Sequence, residues 1–254
     1  MVSAVFPAAG VGKRMGAGRN KVLLDLARRP ILLHTLLKFS ACPSVGELIV
    51  IVRREEIPYI ENLLQAAQGL KPYRLAEGGS ERQYSIQNGL AYVSAQADII
   101  LVHDAARPLV SRETIEAVIE RAQYVGAAIA AVPAKNTIKV MGADGTVQET
   151  LERGKLWEVQ TPQGFQRDIL LRAYAKAAED GFLGTDDASL VERLGQKVAI
   201  VQGDYRNVKV TTPEDLVMAE ALLGQRSLSH ARETAGEALT VFKAGLKHWM
   251  RRRK

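Results

Sequence analysis

The sequence predicts an α/β fold in which helices cover both faces of a mostly parallel sheet. Continuous apolar runs such as Glu47–Val52 and Asp98–His103 alternate along the chain with amphipathic helical runs such as Thr114–Tyr124. Strands that are apolar along their whole length are buried on both faces, and helical connections between them produce parallel neighbours. The 254 residues, 47% of them hydrophobic, are sufficient for a substantial core of this kind.

The elements can be assigned in order along the chain. Val2–Phe6 is the first strand, and Pro30 is expected at the first position of a helix, where its missing N–H would be unpaired in any case. Ser111 and Thr212 are expected to cap later helices, with Asp215 completing the second cap. The other strands are predicted at Glu47–Val52, Pro72–Leu75, Asp98–His103, Ala127–Val132 and Lys197–Val201, and the other helices at Ile57–Ala67, Gln83–Val93, Thr114–Tyr124, Ile169–Glu179 and Ala188–Leu194.

Residues 135–160 interrupt the alternation of strands and helices. Polar and apolar residues alternate there around Asp144 and Gly145, a pair that is typical of a hairpin turn. The segment is too short and too polar to form a domain, so it predicts a protruding β-arm. Because a two-stranded arm is marginally stable alone, we expect it to pack on something, for which a second subunit is one candidate.

The net charge of +6 is concentrated in the last part of the chain. Residues 226–254 contain eight Lys or Arg and two Glu, so the first 225 residues sum to zero. The basic composition therefore does not indicate that the folded body binds nucleic acid. Residues 226–254 predict a basic amphipathic helix that either packs on a protein surface or contacts an anionic membrane, and its partner stays open.

Cysteine usage and hydrophobicity indicate a cytoplasmic protein. The single cysteine, Cys42, cannot form an internal disulfide and is expected to be a buried small side chain. The apolar run Val2–Phe6 is too short for a signal peptide, and no run approaches the roughly 20 residues of a membrane helix.

The most informative segment is the loop after the first strand, FPAAGVGKRMGAGRNK at residues 6–21. Glycine lets backbone N–H groups turn toward an anion, and interleaved cations add positive charge, so a phosphate-rich ligand is predicted. Met15 stands where the dinucleotide fingerprint requires its third glycine, and Arg14 stands where the Walker loop requires Ser or Thr. The glycines are Gly10, Gly12, Gly16 and Gly18, and the cations are Lys13, Arg14, Arg19 and Lys21.

Other polar loops are expected at the same edge of the sheet, because the carboxyl ends of parallel strands meet there. Asp104, directly after a predicted strand, suits Mg²⁺ bound through phosphate oxygens, although alone it could equally cap its loop. Residues 78–85 form a glycine turn that opens a helix toward a ligand. Residues 185–187 are interpreted as a helix cap rather than a second metal site. Lys209, between two valines at the end of the last strand, lies either at an edge or in a site.

The histidines exclude two other kinds of chemistry. His34, His230 and His248 lack the spacing of metal ligands, and no serine or cysteine pairs visibly with His103. Zinc catalysis and a nucleophilic triad are therefore rejected.

Ordered motifs over residues 2–224 resemble a known family. PAAGVGKRMG, Lys21 and PIL are similar to the sugar-phosphate nucleotidylyltransferases. The set GGSERQYS, VHDAARP, TIK, LWEVQTPQGF, GTDDASLVE and VKVTTPEDL resembles, more narrowly, the 2-C-methyl-D-erythritol 4-phosphate cytidylyltransferases. Residues 1–225 are accordingly expected to form a nucleotidylyltransferase domain, with residues 226–254 as a separate helical tail.

The resemblance implies a Rossmann-like fold, a homodimer held together by the β-arm, and Mg²⁺-dependent transfer of CMP. The 4-phosphate of 2-C-methyl-D-erythritol 4-phosphate would attack the α-phosphorus of CTP, giving 4-diphosphocytidyl-2-C-methyl-D-erythritol and pyrophosphate in the non-mevalonate isoprenoid pathway. No covalent enzyme intermediate is expected, so catalysis would rest on positioning and on stabilisation of charge.

The resemblance also assigns residues to the nucleotide. Arg14 and Lys21 would hold the triphosphate and stabilise the transition state, Asp104 would bind Mg²⁺, and Ala105 would lie near the ribose. The other CTP-binding residues, most of them at the cytosine end, would be Ala8, Ala9, Gly10, Gly79, Ser80 and Ser85.

On the acceptor side, Arg107, Thr185 and Lys209 would hold the methylerythritol phosphate or the reacting phosphates, and Lys209 is assigned to catalysis. Thr137 and Arg153 of the arm would reach the substrate phosphate of the neighbouring subunit. Because two polyanions meet in this reaction, cations are needed on both sides.

Four features depart from the usual family pattern, and one is that Ala27-Arg28-Arg29 replaces the usual glycine before the PIL motif. Asn20 and Val22 flank the loop lysine where Pro and Gln are common, and Asn136 precedes the arm threonine where Asp is more usual. None of them removes a proposed catalytic charge.

Two other functions are kept as alternatives. A ribitol-5-phosphate cytidylyltransferase would share the fold, but it tends to show A-G-G where this chain has Ala8-Ala9-Gly10. A non-catalytic nucleotide-binding module would keep the fold without need of Arg14, Lys21, Asp104 and Lys209 together.

Overall fold

The computed structural model describes residues 1–10 and 20–225. Its main sheet has seven strands, and the strand order places the first strand near the middle. From one edge to the other the strands are β11 (Ala199–Gln202), β7 (Ala127–Pro133), β10 (Trp157–Gln166), β6 (Ile99–Val102), β1 (Val2–Pro7), β4 (Val45–Val52) and β5 (Tyr73–Glu77). Two small hairpins pair β2 (Asp25–Leu26) with β3 (Arg29–Pro30) and β8 (Lys139–Met141) with β9 (Val147–Thr150).

The sheet is parallel except for β10, which runs antiparallel between β6 and β7. This confirms the predicted α/β class and corrects the extent of the β-arm. Residues 157–160 were predicted in the arm, but they belong to β10 of the main sheet, where Trp157 lies opposite Pro133 of β7. Residues Gln160 to Phe165 of β10 are buried. Burial between two neighbouring strands favours the strand conformation there despite the polar sequence. The hairpin at Asp144 and Gly145 forms as predicted, between β8 and β9.

Helices cover both faces of the sheet, and alternate residues of the strands divide between two cores. The helices are α1 (Ile31–Ser40), α2 (Ile57–Gln65), α3 (Arg82–Leu90), α4 (Arg112–Val125), α5 (Arg167–Glu179), α6 (Asp187–Glu192) and α7 (residues 213–225). Ala4 and Phe6 of β1 belong to the core under α1, α2 and α4, whereas Val5 belongs to the core under α3, α5 and α6.

The caps predicted at Ser111 and Thr212 form. The Ser111 hydroxyl accepts a hydrogen bond from the Thr114 N–H at 3.1 Å, and the Asp215 carboxylate accepts from the Thr212 N–H at 2.9 Å. Pro30 differs, because it is the residue before α1 rather than its first helical residue. Lys209 also differs, because residues 203–210 after β11 are not a strand.

The sheet order creates a reversal of winding between β1 and β6. The chain passes from β1 through α1 to β4, and later returns past β1 to β6 on its other side. Ligands of open α/β sheets bind at such a point, at the carboxyl ends of the strands.

Within residues 1–10 and 20–225 no helix has the length and hydrophobicity to cross a membrane. The predicted tail helix, residues 226–254, lies outside the described residues.

Candidate active site

A cleft of about 400 Å³ opens at the carboxyl ends of β1 and β6. Segments that follow β1, β4, β5 and β6 line it, together with Lys209. Arg14 lies outside the described residues. The predicted site residues that line the cleft are Ala8, Ala9, Gly10, Lys21, Gly79, Ser80, Ser85, Asp104, Ala105 and Lys209.

One wall of the cleft is formed where the segment after β1 meets the turn before α3. A Cβ atom on Gly78 would lie 2.5 Å from the Cβ of Ala9, so the two segments touch only because residue 78 is glycine. The Gly79 N–H donates to the Ser85 hydroxyl at 3.0 Å, and this hydroxyl donates to the Glu81 carbonyl at 2.9 Å. Ser85 thus fixes the turn and presents it to the cleft.

Elsewhere at the cleft, three cations surround one carboxylate. Lys209 Nζ lies 2.8 Å from Asp104 Oδ2, Arg107 Nε lies 3.6 Å from the same oxygen, and Arg82 Nε lies 3.8 Å from Oδ1. The Asp104 N–H donates to the Thr161 hydroxyl at 3.0 Å, which anchors this turn to β10. We refer to Asp104, Lys209, Arg107 and Arg82 as the Asp104 cluster.

Electrostatics keep Asp104 ionised although it is buried. Burial by itself would raise the pKa of its carboxyl, but the positive charges of Lys209, Arg82 and Arg107 outweigh burial and hold the pKa well below its usual range. Even when the Asp187 carboxylate, which also pairs with Arg82, is counted with Asp104, the three cations leave one net positive charge, which suits a surface that receives phosphate groups.

His103 supports this turn from the core rather than from the cleft. Its ring is fully buried and lies 4.7 Å from the ring of Phe39. Nε2 is 3.2 Å from the Arg107 carbonyl, which fits a neutral ring donating to that oxygen. Burial lowers the pKa of His103 to about 3, so at neutral pH the ring is uncharged and acts as structural support.

Arg82 is a site residue that the sequence analysis did not single out. It lines the cleft and donates from Nη2 to Asp187 Oδ2 at 2.7 Å. Asp187 is completely buried, and its other oxygen accepts a 2.5 Å hydrogen bond from the Tyr174 hydroxyl. Burial would lower the pKa of Arg82, but the charges of Asp187 and Asp104 raise it, so Arg82 remains a cation.

The cap prediction at residues 185–187 is confirmed in part by this arrangement. Asp186 caps α6 by accepting from the Ser189 N–H at 2.9 Å, whereas Asp187 forms the buried ion pair with Arg82. Thr185 lies on a smaller cavity of about 80 Å³, which shares Arg82 with the cleft.

Asn207 was also missed, and it joins two parts of the Asp104 wall. Its carbonyl accepts from Arg107 Nη1 at 2.7 Å, and its side-chain amide donates to the Thr161 carbonyl at 2.8 Å. Arg107, predicted to bind substrate, therefore lies behind the cleft wall with its guanidinium oriented by Asn207 and Asp104. These partners are far apart in sequence, so no local pattern signalled them.

The two arm residues predicted to bind substrate do not line the cleft. Thr137 and Arg153 are exposed, and Arg153 Nη1 donates to the Lys135 carbonyl at the base of the arm at 3.2 Å. Within the described part of this chain, the residues predicted to bind the nucleotide, apart from Arg14, line one cleft, and the arm residues are not brought to it.

Comparison with known proteins identifies the family. The family model for 2-C-methyl-D-erythritol 4-phosphate cytidylyltransferase (IspD) matches residues 2–225. The chain belongs to this family. A cytidylyltransferase of that name from Caldanaerobacter subterraneus is 46% identical over 223 residues, covering 87% of this chain and 98% of the relative. The one from Bacillus mycoides is 49% identical over 223 residues, covering 88% and 98%.

Solved structures of the family share the fold. The 4-diphosphocytidyl-2C-methyl-D-erythritol synthase of Anaerococcus prevotii superposes with a TM-score of 0.79 at 30% identity, covering 88% of this chain and 98% of that chain. The 2-C-methyl-D-erythritol 4-phosphate cytidylyltransferase of Thermus thermophilus gives 0.72 at 35% identity, covering 87% and 97%. The Rossmann-like class is confirmed.

The family establishes the reaction class and the pathway. The chain is a cytidylyltransferase, a kind of nucleotidyltransferase, of the non-mevalonate isoprenoid pathway, and its substrates are CTP and 2-C-methyl-D-erythritol 4-phosphate. This finding favours the first of the three functions considered from sequence over the ribitol-5-phosphate enzyme and the non-catalytic module.

Proposed function

We propose that the cleft between Ala8 and Asp104 binds CTP and that its cations carry the transfer of CMP to 2-C-methyl-D-erythritol 4-phosphate. The observation that carries this proposal is the convergence of Lys21, Lys209 and Asp104 on one cleft at the winding reversal of the sheet. The turn of Gly79, Ser80 and Ser85, together with Ala8, Ala9 and Gly10, takes the cytidine end, and Ala105 lies at the ribose.

The chemical step is a direct displacement at phosphorus. A phosphate oxygen of the acceptor forms a bond to the α-phosphorus of CTP, and the bond from that phosphorus to the bridging oxygen of the β-phosphate breaks, releasing pyrophosphate. Arg14 and Lys21 neutralise the triphosphate and the charge that develops on the leaving group, and Lys209 with Arg107 balances the incoming phosphate. Thr185 lies beside this region on the cavity that shares Arg82.

The residues present fit a Mg²⁺ ion held mainly by the nucleotide. Among residues 1–10 and 20–225 no group of three or more His, Cys, Asp or Glu side chains could hold a metal alone. Asp104 is an ionised carboxylate on the cleft, and Mg²⁺ is commonly bound through one carboxylate plus substrate phosphates and water. When bound with CTP, Mg²⁺ would neutralise phosphate charge.

The proposed assembly is a homodimer in which the arm of each chain serves its neighbour. The β8–β9 hairpin exposes Met141 and Val147, which are 74% and 61% accessible. A two-stranded hairpin with exposed apolar side chains is marginally stable in water, so a partner surface is expected to cover it. Thr137 and Arg153 would then reach the acceptor phosphate in the partner's site.

We also propose that residues 1–225 form the catalytic domain, that residues 226–254 lie outside it, and that the protein works in the cytoplasm. The family match ends at residue 225, which supports the boundary. A single cysteine, buried and with its pKa raised to about 12 by burial and by Glu116, suits a reducing compartment.

A paired substrate assay tests the proposed function. With Mg²⁺ and CTP, purified protein should release pyrophosphate with 2-C-methyl-D-erythritol 4-phosphate and show little release with ribitol 5-phosphate. Lys21→Ala should lower turnover about a hundredfold, because a charge contact to the transition state is lost. The opposite substrate preference, or an unchanged rate for Lys21→Ala, would refute the corresponding assignment.

A further inference from the structure

Asn20 makes hydrogen bonds through both atoms of its amide at the end of the glycine-rich segment. Its side chain is 1% exposed, and Nδ2 donates to the Ala8 carbonyl at 2.6 Å and to Glu56 Oε2 at 2.9 Å. Its Oδ1 accepts from the Val22 N–H at 3.3 Å, which caps the short 3-10 turn of Lys21–Leu23. One side chain therefore joins Ala8, directly after β1, to the 3-10 turn that follows the glycine-rich segment in sequence.

Glu56 ties this junction to the sheet. It lies in the short 3-10 turn Arg54–Glu56 after β4, is 9% exposed, and accepts a hydrogen bond from Arg53 Nη2. The Ala8 N–H in turn donates to the Ile51 carbonyl of β4 at 2.7 Å. We refer to Asn20, Ala8, Val22, Glu56 and Arg53 as the Asn20 network.

The chemistry of the network requires an amide at position 20. The Ala8 carbonyl and the Glu56 carboxylate are both acceptors, and a single amide nitrogen supplies one hydrogen to each while the amide oxygen accepts from Val22. Aspartate has the same shape but would place a third acceptor between them, in a site from which water is largely excluded. Unpaired buried polar groups of this kind are costly.

We propose that Asn20 is a positioning residue of the reaction, which holds Ala8 and Lys21 at fixed places on the cleft. This inference rests on the proposed function of the cleft. Ala8, Asn20 and Lys21 all line it, and the covalent segment between Ala8 and Asn20 carries Arg14. Both polar atoms of the Asn20 side chain bond within the protein, so it acts through the two ends of the segment that it joins.

The isosteric substitution Asn20→Asp tests the role. We expect kcat/KM for CTP to fall about tenfold or more, since two buried acceptors lose their donor, while KM for 2-C-methyl-D-erythritol 4-phosphate changes less than about twofold. The affinity for CTP, measured by calorimetry without acceptor, should fall in parallel. Asn88→Asp is the matched control, because Asn88 is exposed, donates to the Glu77 carbonyl, and does not line the cleft.

The outcomes separate this role from a general effect on folding. The role would be overturned if KM for 2-C-methyl-D-erythritol 4-phosphate rose by as large a factor as kcat/KM for CTP fell. It would also be overturned if kcat/KM and the affinity for CTP in Asn20→Asp stayed within twofold of those of the wild type. If Asn20→Asp does not fold, Asn20→Ala, which removes both donations without adding charge, is judged by the same criterion. Wild-type protein that binds CTP but does not turn over the acceptor would refute the proposed function, and the CTP affinities of the variants would still decide the role of Asn20.

Discussion

The Asp104 cluster and the β-arm contribute to the site in opposite ways. In the cluster, Asp104 is 8% exposed and each of its cations comes from the same chain. In the arm, Thr137 and Arg153 are exposed, and neither lines the cleft. The cluster is a set of mutual contacts that one chain completes, whereas the arm carries its predicted substrate-binding side chains away from the cleft of its own chain.

In the proposed function, this difference assigns the two substrates to different parts of the molecule. Residues at the winding reversal of one sheet can bind a nucleotide, because parallel strands bring their carboxyl ends together there. The acceptor phosphate needs further cations, and in the proposed assembly the partner's arm supplies them. The following predictions break the cluster first and then probe the arm.

The largest effect is expected from Asp104→Asn. The substitution keeps the shape but removes the charge that holds Lys209, Arg107 and Arg82 together, and it removes the proposed metal ligand. We expect kcat to fall about a hundredfold in a pyrophosphate-release assay. Asp168→Asn is the matched control, since the Asp168 side chain is 87% accessible on α5, and it should keep the wild-type rate. A rate for Asp104→Asn within threefold of the wild type would show that the cluster is dispensable.

The pH dependence of the free energy of unfolding should report the burial of His103, which precedes Asp104 in the chain. The pKa of His103 is about 3 in the folded protein and near 6.5 when unfolded, so the unfolded chain takes up the proton first as the pH falls. This contribution is fully present above pH 6.5 and is lost progressively toward pH 3. Between pH 6.5 and 4.5 the free energy of unfolding should fall by about 2 kcal/mol more in the wild type than in His103→Gln, measured by denaturant unfolding.

His34→Gln is the control for this measurement. His34 is half-buried on α1, and its Nε2 lies 2.7 Å from the Leu26 carbonyl, without the full enclosure of His103. Its replacement should therefore leave most of the pH dependence in place. Parallel pH profiles for the wild type and His103→Gln would contradict a neutral buried His103.

The smallest effect should come from the arm. Arg153→Ala is expected to raise KM for 2-C-methyl-D-erythritol 4-phosphate about tenfold and leave CTP binding unchanged, because one exposed contact to a phosphate is lost. Lys155→Ala, a neighbouring exposed lysine paired with Glu152, is the matched control. Weakened CTP binding in Arg153→Ala would contradict the assignment.

Mixing two variants tests whether the arm of one chain acts in the site of its partner. Where the arm serves the partner's site, a heterodimer of Lys21→Ala and Arg153→Ala has one site with both defects and one intact site. At acceptor concentrations far below KM, the mixture should recover about a quarter of the wild-type rate. No recovery, with exchange of subunits demonstrated, would place Arg153 in its own chain's site.

Local sequence patterns were sufficient to predict much of the fold and several of the residues that line the cleft. Apolar runs located the strands β1, β4 and β6, and of the polar signals after β1 and β6, Gly10, Lys21 and Asp104 line the cleft. Capping at Ser111 and Asp186 was readable because a cap bonds to a residue three positions away. Each of these features depends on neighbours in the chain, so a pattern of residue types is sufficient to predict it.

The alternating elements, the family motifs and the prediction of a phosphate-binding loop all follow from the amino-acid sequence. The folded structure was needed to show that residues 157–160 belong to an antiparallel central strand, that Arg82 pairs with Asp187, and that Asn20 joins Ala8 to Glu56. The physical reason is that these contacts join residues distant along the chain. Their energy comes from burial and from satisfying polar groups in a shared interior, which no local pattern of residues encodes.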